Sequence, residues 1–213
     1  MQLIGFGFQS RTGKDTCCQY LVNHHSFKQY AFADKIKEMA HKIFGHLGVM
    51  PKAFYENAPV ARQAHIIEMN CNVIDVWVGM NKLRDIYPKI WISLLFEQIR
   101  KDGNEDAKIC ISDVRQFNEI MAIKELGGSC GVVMRDVERV ASATLDLELE
   151  SHGGWDFELD NNGSLEDLYR QLDVVVDTNP IAKNLEAVFW GTEADIDDPS
   201  WVEGVTVKPE EGE

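Results

Sequence analysis

Residues 7–16 read Gly-Phe-Gln-Ser-Arg-Thr-Gly-Lys-Asp-Thr, between the apolar run Leu3-Ile4-Gly5-Phe6 and a helical pattern. A strand, a loop ending in Gly-Lys and a helix form an architecture that grips the phosphates of a nucleoside triphosphate. Backbone N–H groups of the loop and of the helix start converge on the anion, and the helix dipole adds to their field. Lys14 supplies a point charge for the β- and γ-phosphates. Gly7, Arg11, Thr12, Gly13, Lys14, Asp15 and Thr16 are therefore expected to hold the nucleotide.

The loop departs twice from the Gly-x4-Gly-Lys-[Ser/Thr] pattern. Counting back from Gly13, the first glycine falls on Phe8, and Gly7 stands one place early. Either the loop is one residue longer, or Phe8 takes a conformation that suits glycine better. The hydroxyl residue that would bind Mg²⁺ is replaced by Asp15, with Thr16 after it. A carboxylate can hold that hard cation, directly or through water. It can equally be a first-turn acid that stabilises the helix dipole.

A second acid, Asp113, ends the apolar run Lys108-Ile109-Cys110-Ile111-Ser112. With a phosphate loop in place, a strand-end acid is where Mg²⁺ or its water is held, though such an acid also serves as a turn residue or cap. Arg115, two residues on, falls at the same sheet edge, where ligands of α/β proteins collect.

These residues need elements to carry them. Apolar periodicity gives strands and helices in alternation, the sign of a mostly parallel sheet flanked by helices. Strands are expected near 2–8, 27–31, 108–113, 130–134 and 157–159, with a last one near 174–176. Helices are expected over 14–22, 34–44, 88–100 with Pro88 as first residue, 116–126 ending at Gly127-Gly128, and from Ser164 onward. Residues 45–83 read as a helical insertion and 135–156 as a long connection carrying Arg135 and Arg139.

The chain has 213 residues, enough for one α/β domain with an insertion. It carries 21 basic and 35 acidic side chains, a formal charge of −14, half of it in the tail from Gly191 onward. That balance disfavours a nucleic acid polymer as partner, whereas a small anion needs only a few local cations. No apolar stretch approaches eighteen residues and the first residues run straight into a strand, so a cytoplasmic protein without membrane contact is expected. Five cysteines without ligand spacing imply neither a disulfide framework nor a zinc site.

Several segments together resemble the deoxynucleoside monophosphate kinases of bacteriophages. They are Gly13-Lys14-Asp15-Thr16, Tyr30-Ala31-Phe32-Ala33-Asp34 with Ile36-Lys37-Glu38-Met39-Ala40, and Arg84-Asp85-Ile86-Tyr87-Pro88 with Trp91. After these come Ile111-Ser112-Asp113-Val114-Arg115 with Asn118-Glu119, Glu125-Leu126-Gly127-Gly128, and Asp160-Asn161-Asn162-Gly163-Ser164-Leu165-Glu166-Asp167-Leu168. The blocks keep the family's order over about residues 1–175.

The resemblance implies a three-layer P-loop fold with a lid, ATP and Mg²⁺ as cosubstrate and cofactor, and a dNMP as phosphate acceptor. It implies that Arg84 and Arg115 meet the monophosphate, that Asp34, Lys37 and Asp113 line the acceptor site, and that Arg135 and Arg139 belong to the lid. Asn162 and Gly163 would lie by the adenine. Trp91 would pack on the nucleobase, although its helical spacing also suits the core. A kinase domain over 1–180 and an acidic tail over 181–213 follow. Two other readings stay open, a P-loop kinase of another small acceptor such as a modified nucleotide, and a non-catalytic nucleotide-binding module. Pairing with a second copy is also left open.

Overall fold

Leu3 faces one side of the first strand and Ile4 and Phe6 the other, and all three are fully buried. A strand apolar on both faces belongs at the centre of a sheet covered twice, and the computed structural model places it there. The structure describes residues 1–7, 11–104, 106–136 and 154–179.

In chain order the first elements are β1 (Gln2–Gly7), α1 (Lys14–His25), β2 (Phe27–Tyr30), α2 (Phe32–Phe44) and α3 (Lys52–Asn57). A two-residue ladder, β3 (His65–Ile66) and β4 (Cys71–Asn72), leads to α4 (Val73–Asn81) and α5 (Ile90–Lys101). Then follow β5 (Lys108–Val114), α6 (Phe117–Glu125), β6 (Ser129–Met134), β7 (Phe157–Asp160) and α7 (Leu165–Thr178). The main sheet has the order β2-β5-β1-β6-β7, and each pairing in it is parallel.

Each face of the sheet has its own helices. Leu3, Ile109, Ile111, Cys130 and Val132 pack with Ile92, Leu95, Phe96 and Ile99 of α5 and with Ile120 and Ile123 of α6. On the opposite face Ile4, Phe6, Cys110, Val133 and Leu159 meet Cys17, Cys18 and Leu21 of α1 and Leu168, Leu172, Val175 and Val176 of α7. The result is a three-layer α/β fold, a parallel sheet between two layers of helices. A third cluster joins α2, α4 and the start of α5, with Tyr55, Ile66, Val73, Val76, Trp77 and Met80 over Ile36, Ala40 and Trp91. Residues 45–83 are mostly helical with one short antiparallel ladder, and they pack through a core shared with α2 and α5.

Three expectations are corrected. The run Val174-Val175-Val176 is not a strand but the last turns of α7, whose buried residues Leu168, Leu172, Val175 and Val176 recur at helical spacing. The Ser164–Asp167 capping box starts that helix, and the core stripe carries it through three β-branched residues. Pro88 is not the first residue of α5. It stands before the N-cap Lys89, and its carbonyl accepts from the Asn118 side chain. Helix α1 runs on to His25, where Ser26 in a left-handed conformation (φ 60°) closes it. The five cysteines are unpaired thiols, four of them buried. Burial pushes the Cys17 thiol up to about 12, so it stays protonated at neutral pH. Among the described residues no helix is long and apolar enough to cross a membrane.

Candidate active site

The chain leaves β1 for α1 on one face of the sheet and leaves the adjacent β5 for α6 on the other. Between the carboxyl ends of two such strands a crevice must open, because their connections diverge. A cavity of about 790 Å³ lies there, lined by Lys14 and Asp15 after β1, by Asp113 and Arg115 at the end of β5, and by residues of α2 and the insertion. Seven cationic side chains line it against five carboxylates, in a chain that carries −14 overall. The local field therefore favours an anion where the protein as a whole repels one.

Gly13 caps α1 with φ 108°, and Arg11 also has a positive φ, 67°. Left-handed residues thus stand on either side of Thr12, and turns of this kind are where backbone N–H groups can converge on an anion. Lys14 is the first residue of α1 and is only 9 % exposed. Asp15 is exposed and lines the cavity, whereas Thr16 is half-buried and does not. Gly7 accepts no side chain. A Cβ there would stand 2.2 Å from the Trp155 ring and 2.7 Å from the Val114 carbonyl oxygen. Phe8 lies outside the described residues.

Asp113 has a structural duty that its position in the chain did not reveal. Its two carboxylate oxygens accept from the backbone N–H groups of Phe32 and Ala33, each at 2.8 Å. Those are orphan donors at the start of α2, whose N-cap Ala31 has no side-chain acceptor. Burial raises the Asp113 pKa while the two backbone donors pull it down. The cap reading and the cavity reading thus hold together, since the same carboxylate also faces the crevice.

Arg84 is fixed from three sides. Its guanidinium donates to Glu119 at 2.7 Å, to Gln116 at 3.0 Å and to Asn81 at 2.7 Å. Glu119 is buried, and its second oxygen accepts the backbone N–H groups of Arg115 and Gln116, closing a capping box at the start of α6. Arg84 is thereby aimed into the cavity with its plane set. Arg115 also lines the cavity, but it is exposed and forms no ion pair among the described residues.

Burial pushes the Glu119 carboxyl up from 4.5 to about 7, against the pull of Arg84 and the backbone donors. A carboxyl with a raised folded pKa binds more protons when folded, so it lends stability at low pH that is lost as pH rises toward 7. Unfolding free energy measured against pH should therefore fall between about 4.5 and 7. The slope should be shallower in Glu119→Gln, and an unchanged slope would show that Glu119 stays ionised throughout.

The insertion supplies the far wall. Asp34, near the start of α2, bonds to Lys37 at 3.4 Å and pairs with Lys52 of α3. The Trp77 ring of α4 lies 5.9 Å from the Lys37 ammonium and packs edge-on against Tyr55. Arg62, Trp77 and Asn81 line the cavity and were not foreseen from the sequence. Buried nitrogens of Arg62 and Trp77 have no hydrogen-bond partner among the described residues, a signal visible only in three dimensions.

Trp91 is a correction. It is fully buried in the cluster of α2, α4 and α5 and does not line the cavity, so the helical spacing reports the core. Trp91→Ala should cost about 3–5 kcal/mol in denaturant unfolding. Trp91→Phe should leave substrate KM values unchanged, and a raised KM in a stable Phe variant would restore a ligand role.

The remaining expected residues fall elsewhere. Arg135 is exposed beyond β6 and outside the cavity lining, and Arg139 lies outside the described residues. Asn162 and Gly163 are exposed in the turn before α7, where the Asn162 side chain accepts from the Asp136 N–H at 2.7 Å and bonds to Asp160. Among the described residues no group of three or more acids, histidines or cysteines could cage a metal.

Fold and site define the class, a three-layer α/β protein with a parallel sheet and a cationic cleft at the strand ends. No protein-family model matches the chain. It is 29% identical over 192 residues to a protein of Acanthamoeba polyphaga mimivirus described as "Putative deoxynucleotide monophosphate kinase". That match covers 83% of this chain and 97% of the mimivirus protein. Among solved structures, the dephospho-CoA kinase from Campylobacter jejuni is similar at 18% identity and a TM-score of 0.46, over 83% of this chain and 96% of that one. A sugar kinase from Janibacter sp. HTCC2649 is similar at 12% identity and the same TM-score, over 84% and 96%. Such scores carry no argument about activity.

Proposed function

We propose that the protein transfers the γ-phosphoryl group of ATP to a deoxynucleoside 5′-monophosphate, giving a dNDP and ADP. The observation that carries this reading is a single cleft that joins Lys14 of the phosphate loop to Arg84 and Arg115 across the end of β5. Two anions could meet there, one on the loop and one on the arginines. The mimivirus relative's description supports a nucleotide as acceptor.

An oxygen of the acceptor phosphate attacks the γ-phosphorus. A new P–O bond forms there, and the bond to the β,γ-bridging oxygen breaks, with its electron pair leaving on ADP. A phosphate oxygen is already nucleophilic at neutral pH, so no strong general base is required. The protein's part is alignment and charge stabilisation. Loop N–H groups and Lys14 hold the β- and γ-phosphates, while Arg84, held rigid by Glu119, and Arg115 align the acceptor. Asp34 and Lys37 lie toward the nucleoside. Asp15 and Asp113 would hold Mg²⁺ brought with ATP, and the ion would supply neutralisation of phosphate charge.

An ADP-release assay with ATP and Mg²⁺ and a panel of acceptors tests the reading. Turnover that needs a dNMP is expected. Turnover with other small acceptors alone would make it a different kinase, and ATP binding without turnover would make it a binding module.

A further inference from the structure

The phosphate loop works only if its N–H groups, and not its carbonyls, face the anion. Between Thr12 and Gly13 that choice is a single peptide orientation. Turned over, the unit would replace the Gly13 donor with the Thr12 acceptor. Gly13, at φ 108°, has the freedom that makes such a flip accessible.

We propose that Asn161 locks this peptide and is a positioning residue for the nucleotide phosphates. Asn161 follows β7, is 7 % exposed, and donates its amide Nδ2–H to the Thr12 carbonyl at 2.6 Å. Thr12 is itself buried. The carbonyl can only accept, so the amide nitrogen must face it. With the Thr12 C=O held toward β7, the Gly13 N–H on the same trans peptide points the opposite way. A Cβ at Gly13 would collide with the Asn161 amide nitrogen, so the amide packs directly against the loop.

The support beneath Asn161 is rigid. Its backbone N–H donates to the Met134 carbonyl at 2.8 Å. Before it, the Asp160 N–H donates to Gln171 Oε1 at 2.8 Å, and Gln171 Nε2 donates back to the Asp160 carbonyl at 2.9 Å. The next residue, Asn162, turns away toward Asp136. Of two adjacent asparagines, one therefore serves the loop and the other the end of β6.

The inference rests on the reading that this loop cradles ATP phosphates. Its test uses the full chain as wild type, Asn161→Ala and Asn161→Asp. Binding of a non-hydrolysable ATP analogue, KM for ATP and dNMP, and the thermal midpoint are measured. Alanine frees the peptide, and aspartate sets an acceptor against an acceptor. The analogue Kd and the ATP KM should rise about tenfold or more for alanine and further for aspartate. The dNMP KM should stay within about twofold and the midpoint within a few degrees, because the backbone bonds around residue 161 remain.

Wild-type protein that binds no analogue would remove the ATP reading itself. Wild-type binding with equal binding by both folded variants would overturn the lock. Variants that fail to fold, or that weaken for ATP and dNMP alike with a lowered midpoint, would make Asn161 a residue of the fold and equally overturn it.

Discussion

Lys14→Ala is expected to abolish phosphoryl transfer, with kcat falling on the order of 10³-fold or more, about 4 kcal/mol of transition-state stabilisation. A cation at the first position of a helix is repelled by the positive end of the dipole, and Lys14 is 9 % exposed there. Alanine is a better helix former than lysine at that position, so the thermal midpoint should stay within a few degrees of wild type. On the proposed reading the Lys14 ammonium would meet the phosphates held beside Arg11, Thr12 and Gly13. A folded variant with near wild-type turnover would remove Lys14 from the reaction.

Arg115→Lys should spare ATP and damage the acceptor. Arg84 is already committed to Glu119, Gln116 and Asn81, whereas Arg115 faces the same cleft exposed and without an ion pair among the described residues. A guanidinium can grip a phosphate with two parallel hydrogen bonds that an ammonium cannot reproduce. The expected loss is about 10²-fold in kcat/KM for the dNMP, near 2.7 kcal/mol, with the ATP KM changed little. Weakening confined to ATP would move Arg115 to the donor side. No change in either parameter would leave it a surface charge.

Local signals made the strand, loop and helix of residues 1–25 legible, as they did the alternation that yields a parallel sheet. The continuous apolar run of β1, buried on both faces, and the capping box at Ser164 are each written within a few residues. The contacts that set the site are not local. Asp113 caps a helix 80 residues earlier in the chain, Arg84 is held by Glu119 35 residues on, and Asn161 reaches back 149 residues to Thr12. No spacing rule reports such pairs. The tryptophans show the same limit, because Trp77 and Trp91 both lie on helical apolar stripes. Only packing decides that Trp91 closes a core while Trp77 reaches the cleft. The expected lid over 135–156 and the acidic tail fall largely or wholly outside the described residues.

The most direct measurement follows the label of γ-labelled ATP in the presence of Mg²⁺ and a dNMP. The account predicts that label appears at the β-position of a dNDP in step with ADP, and that Lys14→Ala yields none. Label released only as inorganic phosphate, or retained on ATP with every dNMP supplied, would contradict it.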